Sequence, residues 1–358
     1  MKILHVITSL RTGGAEKLMV DLLPRLKERG HDVDLLLFDG IDTPFRQAAE
    51  KAGIKIYDLG KGGSVYSPLR LLKLIPHLGK YDIVHTHNTA PQLFAAIGSL
   101  FSDKAILCTT EHNTSNRRRK WRWFAPVDRW MYSRYRHVIC ISQKAEDNLR
   151  DYIGASRVGI CTINNGIDLA RFSNASNSHD FEQIACRSRK LLMVASFRAQ
   201  KDQDTIIRAM SILPPEFHLF LVGDGSRRPV LEQLSADLGL SQRVHFMGIR
   251  NDIPNLLHAA DYIVMSSHFE GLSLSSVEGM SVGKPFLASD VDGLREVVKG
   301  YGILFNHEDE KDLAAKIVEL ENSPALYSAV SEACNKRAQE FDISKMADGY
   351  SMIYETIL

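Results

Sequence analysis

Glu270 and Glu278 enclose the run Gly271-Leu272-Ser273-Leu274-Ser275-Ser276-Val277, which follows the apolar stretch Tyr262–Ser266 and has the composition of a helix start. At such a start the backbone N–H groups of Gly271, Leu272 and Ser273 lack partners within the helix, and they form an anion site suited to a diphosphate. Eight helical residues rise about 12 Å, roughly the span from a ribose to a hexose across a diphosphate. Carboxylates repel phosphate, so the natural partners of Glu270 and Glu278 are sugar hydroxyls on either side of it. The spacing fits two solvated glutamates flanking a helix equally well.

A diphosphate needs cations as well. Arg198 and Lys201 lie in Ser196-Phe197-Arg198-Ala199-Gln200-Lys201, directly after the apolar run Leu191–Ala195. A forked guanidinium and a point-charge ammonium are common phosphate partners, although a lone pair of them is more often a solvated loop. In the first half, Arg11-Thr12-Gly13-Gly14-Ala15-Glu16 follows the first apolar run, and glycines there let a backbone approach a ligand. Neither this segment nor Gly223-Asp224-Gly225-Ser226-Arg227-Arg228 carries the glycine spacing of a dinucleotide fingerprint, which weakens any case for hydride transfer. His112, in Thr110-Glu111-His112-Asn113, and the pair His85-Thr86-His87 end apolar runs, where side chains face a ligand. The His-x-His pair lacks third and fourth metal ligands at telling spacing. Asp290-Val291-Asp292 has the form of a divalent-metal pair, yet Gly293 after it suits a plain turn, and the metal-free reading is preferred.

Positioning these groups requires strands that end where they begin. Ile3–Thr8, Val33–Phe38, Ile83–His87, Ala105–Thr110, Val138–Ser142 and Ile160–Ile163 read as buried strands, and a second series runs Leu191–Ser196, Leu219–Gly223, Val244–Gly248, Tyr262–Ser266, Pro285–Ser289 and Ile303–Phe305. Strands alternating with amphipathic helices imply two parallel sheets covered on both faces, which bind ligands beyond their carboxyl ends, in a cleft if the sheets face each other. A length of 358 residues, 44% of them hydrophobic, suits two globular domains. The polar, aperiodic segment Phe172–Arg189 marks the junction, giving domains 1–170 and 171–340. A last helix, 341–358, carries Met346, Tyr350, Ile353, Tyr354 and Ile357 on one face and needs a surface to bury them. The net charge of +1 argues against a nucleic-acid partner. Five cysteines without a CxxC pattern fit reduced core thiols, and no run nears the roughly 20 apolar residues of a spanning helix. With no signal peptide visible, the expected location is cytoplasmic.

In this order the motifs resemble the retaining GT-B glycosyltransferases of family 4, nearly end to end. The resemblance runs through Gly13-Gly14-Ala15-Glu16, His85-Thr86-His87, Glu111-His112-Asn113, Ser142, Asn165-Gly166-Ile167-Asp168, Gln200-Lys201, Gly223-Asp224-Gly225, Phe246-Met247-Gly248, Glu270–Glu278, and Gly293 with Glu296. It implies two facing Rossmann-like domains, with the C-terminal helix packing back across the cleft to the first. It implies catalytic roles for His112, Glu270, Arg198 and Lys201. Glu270 would hold donor-sugar hydroxyls, Glu278 the ribose, and Lys201 the diphosphate, with Gly271, Leu272 and Ser273 cradling sugar and phosphate through their backbone. Ile249 and Arg250 would meet the base, Gly14 the diphosphate, and His112 the transferred sugar, with His87 and Asn113 on the acceptor side. Relatives carry Gly-Arg-Leu where this chain has Ala195-Ser196-Phe197, and Arg198 is the candidate substitute for that arginine. The implied reaction is metal-free sugar transfer from a nucleotide sugar, UDP-linked ahead of GDP-linked, to a glycan or polyprenyl-diphosphate-linked acceptor. No cofactor is implied, since the nucleotide sugar is the substrate. The rival readings are an epimerase of the same fold and a catalytically silent sugar-nucleotide-binding subunit.

One stretch is left over. Residues 116–136 hold eight arginines and lysines against one acid, Asp128, and contain all three tryptophans. Arg117, Arg118, Arg119, Lys120, Trp121 and Trp123 suit contact with an anionic membrane, which would make the protein peripheral on the inner face. An ordinary helix with solvated arginines over a core fits the same residues.

Overall fold

The computed structural model describes every residue except Thr12, Asp103, 113–123, 155–157, 177–180, 182–187 and Leu272. It divides into two compact units, Met1–Gly166 with Ile343–Leu358, and Ile167–Asp342. The chain crosses between them after Gly166 and again after Asp342. Ile167, Leu169 and Phe172 bury themselves in the second core, and the amide of Ile167 donates to the carbonyl of Phe341 at 2.8 Å, tying the entering segment to the leaving one.

The first unit is built on strands β1 (Lys2–Ile7), β2 (Asp32–Leu37), β3 (Lys55–Asp58), β4 (Ile83–His87), β5 (Ile106–Glu111), β6 (His137–Cys140) and β7 (Gly159–Thr162), in spatial order β3-β2-β1-β4-β5-β6-β7. The second holds β8 (Arg189–Val194), β9 (Phe217–Val222), β10 (Val244–Gly248), β11 (Tyr262–Met265), β12 (Phe286–Ser289) and β13 (Ile303–Phe305), in order β10-β9-β8-β11-β12-β13. Every strand pairing is parallel. Twelve strands fall where apolar runs predict them. The edge strand β3, Lys-Ile-Tyr-Asp, escapes that criterion because no residue in it is fully buried.

In both sheets the strand order reverses beside the first strand, between β1 and β4 and between β8 and β11. At such a switch point the loops leave in opposite directions and open a crevice beyond the strand ends. The segments singled out by chemistry stand there: Gly13-Gly14 after β1, His87 at the end of β4, Arg198–Lys201 after β8 and Glu270 after β11.

The helix Ile343–Ile357 belongs to the first unit. Its stripe of Met346, Tyr350, Tyr354 and Ile357 packs with Ile3, Ile7, Ile83 and Leu22, burying the apolar face as its periodicity requires. Arg29 fastens its solvent side, pairing with Asp348 at 2.6 Å and donating to the carbonyl of Ser344 at 2.7 Å.

Candidate functional site

In the second unit the loop after β11 carries Glu270 and the loop after β8 carries Lys201. The two side chains form an ion pair, Nζ to Oε1 at 2.5 Å, with Glu270 only 9% exposed. Ser267 donates a second bond to the same carboxylate oxygen at 2.6 Å, so Glu270 is held in one orientation. The loops are joined by backbone as well: the His268 amide donates to the Gln200 carbonyl at 2.8 Å, and the Gln200 amide group donates to the Phe269 carbonyl at 2.9 Å. Gly293, with φ +84°, lies against this turn, and a Cβ there would collide with the carbonyl oxygens of Glu270 and Gly271.

Ser273 caps the helix Leu274–Ser281, its hydroxyl accepting from the Ser276 amide at 3.3 Å. Among the described residues, the amides of Gly271 and Ser273 have no acceptor, which leaves donors at the positive end of a helix. Glu278 lies one turn into that helix, partly exposed. The mostly buried carboxylate and this half-exposed one therefore flank a donor-lined helix start.

The other expected donor contacts divide. Phe197 is fully buried and packs edge-on against Phe246, which anchors the loop that carries Ser196 and Arg198. Arg198 is exposed, and its guanidinium has no ion-pair partner among the described residues. Ile249 is 80% exposed beyond β10. Arg250 folds back onto Asp252 in a bidentate pair at 2.8 and 2.6 Å, and this pair holds the Asp252 carboxyl below its usual range. Asp290 and Asp292 both point to Arg295, at 2.5 and 3.6 Å, so each carboxylate has a cationic partner within its own turn.

In the first unit Gly14 begins the helix Gly14–Glu28, and nothing lies within 4 Å of the position its Cβ would take. A ligand can thus approach the backbone closely there. His112 follows β5 and is half-buried, and its Nε2 is 2.9 Å from Nδ1 of His87.

His87 requires a correction. It was expected to face the acceptor, but it is completely buried. Strand alternation puts it on the same face as His85, beneath the C-terminal helix. Among the described residues, His112 is its half-buried neighbour toward the surface. Behind it lies His5, which sequence reasoning missed: register pairs His5 with His85, and His5 Nδ1 is 3.0 Å from His87 Nε2. One ring nitrogen from each of His5, His85 and His87 lies within 4.8 Å of the other two. The rings are stacked at 4 to 14°, however, and each nitrogen already takes part in a hydrogen bond, so the lone pairs do not converge on one point. Burial pushes His5 down to about 3 and His112 to about 4, and holds His85 and His87 well below their usual range.

Asn113, Arg117, Arg118, Arg119, Lys120, Trp121, Trp123 and Leu272 lie outside the described residues. Beyond 113–123 the chain enters the helix Ala125–Ser133, which buries Asp128, Met131 and Tyr132 and exposes Trp130. Among the described residues no helix is long and apolar enough to cross a membrane.

Comparison with known proteins covers almost the whole chain. Residues 12–171 match the family described as Glycosyltransferase Family 4, and residues 175–340 match Glycosyl transferases group 1. A UDP-Gal:alpha-D-GlcNAc-diphosphoundecaprenol alpha-1,3-galactosyltransferase of Escherichia coli is 25% identical, over 99% of this chain and 96% of that protein. The lipopolysaccharide core biosynthesis glycosyltransferase LpsD of Rhizobium meliloti (strain 1021) is 25% identical, over 99% and 98%. Among solved structures, Anabaena HepE in complex with UDP shares the fold with a TM-score of 0.86 at 23% identity, over 99% of this chain and all of that one.

Proposed function

The chain belongs to the GT-B glycosyltransferases of family 4, and from that membership we propose that it moves a sugar from a UDP-sugar, with retention, to a glycan or polyprenyl-diphosphate-linked acceptor. The observation that carries the donor assignment is the Lys201–Glu270 pair at the switch point of the second sheet, beside a helix start where the Gly271 and Ser273 amides have no acceptor among the described residues. Lys201 is placed to neutralise a diphosphate while Glu270 accepts from sugar hydroxyls, and Glu278 suits the ribose. Arg198, exposed and without an ion-pair partner among the described residues, supplies the second cation in place of the arginine absent at Ser196. The E. coli and R. meliloti relatives, named for a lipid-linked acceptor and for lipopolysaccharide, support an acceptor in cell-surface glycan synthesis. The basic, tryptophan-rich stretch would bring such an acceptor to the first unit at the inner face of the membrane.

In this reaction the bond between the anomeric carbon and the diphosphate oxygen breaks, and its electron pair leaves with UDP. The acceptor oxygen bonds to that carbon on the same face, and its proton passes to the departing diphosphate. The protein's part is to position both reactants and to stabilise the growing phosphate charge. Lys201, Arg198 and the helix amides supply that charge, so turnover is expected to persist in EDTA. Loss of turnover in EDTA, restored by manganese or magnesium, would assign a metal role instead.

Calorimetry tests the donor assignment. Glu278→Ala should weaken UDP and UDP-sugar alike, by about 1.5–3 kcal/mol, because the ribose loses a charged acceptor. Glu270→Ala should leave UDP affinity nearly unchanged and weaken the UDP-sugar. Equal losses for both ligands in both variants would contradict the division of roles.

A further inference from the structure

The buried histidines form one hydrogen-bonded line. From the core outward it runs Tyr350 OH to Thr110 Oγ1 at 2.9 Å, Thr110 Oγ1 to His85 Nε2 at 2.8 Å, and His85 Nδ1 to Tyr354 OH at 2.6 Å. It continues from Tyr354 OH to His5 Nε2 at 3.3 Å, His5 Nδ1 to His87 Nε2 at 3.0 Å, and His87 Nδ1 to His112 Nε2 at 2.9 Å. Tyr350, Thr110, His85, Tyr354, His5 and His87 are all buried.

Counting protons gives the line a direction. With every ring neutral, each of these six buried groups carries one hydrogen to donate, and among the described residues the line offers them six hydrogen bonds. If all six donate outward, every buried hydrogen has an acceptor. If His112 instead donates inward, it occupies one of the six bonds and one buried N–H or O–H is left without a partner, an arrangement that buried polar groups avoid. Charging a ring would relax the count, but burial depresses every histidine in the line, so the rings stay neutral near pH 7.

We infer that this buried line fixes His112 in the tautomer protonated on Nδ1, so that its imidazole meets the substrate as a neutral hydrogen-bond donor and not as a base. His87 is then a positioning residue, holding both the ring orientation and the tautomer of His112. Tyr354 and Tyr350 give the C-terminal helix a part in the same device. The inference rests on the proposed reading only in setting His112 against the transferred sugar. There a neutral N–H suits a sugar oxygen, and a base would compete with the departing diphosphate for the acceptor's proton.

The test is the protonation state of each ring nitrogen in the full chain with 15N-labelled histidine, read from long-range proton–nitrogen spectra at neutral pH. The His112 signals are identified by their loss in H112N. The expected result is a protonated Nδ1 and a bare Nε2 on His112. In H87L that preference should be lost, and turnover should fall about tenfold with the KM for the UDP-sugar little changed, as suits one lost positioning bond. In H87N the asparagine amide lies near the former Nδ1 and still donates, so both tautomer and turnover should largely recover. A purely structural role for His87 would not produce that recovery. A proton on Nε2 of His112 in the unaltered chain, or a charged His112 at neutral pH, overturns the inference even if H87L does not fold. The expected tautomer in a chain that turns over no nucleotide sugar would support the line and contradict the proposed function, so the two failures are distinct.

Discussion

Lys201→Met is expected to lower kcat/KM for the UDP-sugar by about a thousandfold, chiefly through kcat. Lys201 is the cation bonded to Glu270 between the two switch-point loops, and in the proposed reaction the charge on the diphosphate grows as it leaves. Removing one preorganised charge partner of a transition state costs about 10²–10³ in rate, and displacement of Glu270 adds to that. Arg198→Ala, at an exposed position, should cost nearer tenfold. Lys201→Met also leaves the Glu270 carboxylate mostly buried with, among the described residues, only Ser267 to bond it, and losing one partner of such a pair costs several kcal/mol. The double variant Lys201→Met with Glu270→Gln should therefore recover stability without recovering turnover. Steady-state rates and unfolding midpoints on the four proteins separate these effects. Turnover within tenfold of the parent in Lys201→Met would remove Lys201 from the donor site.

Acid is the second large lever. His5 is held neutral by burial, at about 3 in the fold, against about 6.5 in the unfolded chain. A depressed folded value means that stability is complete above the unfolded value and is lost as pH falls toward the folded one. Each such group costs up to about 1.4 kcal/mol per pH unit, so His5 alone removes about 2 kcal/mol between about pH 6.5 and pH 5. His85 and His87 shift in the same direction and add to the loss. Burial raises the carboxyls of Asp202 and Glu16, which work the other way; Asp202 lies in the second unit, and Glu16 is a single group against His5, His85 and His87 in the first. All three tryptophans fall within the first unit's stretch of sequence, so their fluorescence during urea unfolding reports on the unit that holds the histidines. Its midpoint should drop markedly from about pH 7 to about pH 5. An unchanged or higher midpoint would mean that the rings are protonated in the fold.

The two elements in these predictions were unequally legible in the sequence. Glu270 and Lys201 stand in loops that directly follow apolar strands, and parallel sheets place such loops at one end. Their type and position were therefore enough to bring them together. His5 sits mid-strand between Leu4 and Val6, and only its register against His85 turns it into the link between His87 and Tyr354. Tyr350 and Tyr354 read as part of an apolar stripe, which they are, but periodicity does not register that their hydroxyls also bond to buried side chains. The burial of His87 follows from strand alternation together with the helix that covers that face, whose Tyr350 and Tyr354 lie more than 260 residues away in the chain. Arg295 was readable in principle, because a helical cation just after Asp290 and Asp292 is the commonplace partner for such acids.

The central claim is tested most directly by supplying the chain with a UDP-sugar and a polyprenyl-diphosphate-linked sugar acceptor and following both UDP release and the anomeric configuration of the new linkage by NMR. UDP release should depend on the acceptor, and the product should keep the donor's anomeric configuration. An inverted linkage, or UDP-sugar consumed just as fast without acceptor, would contradict the claim.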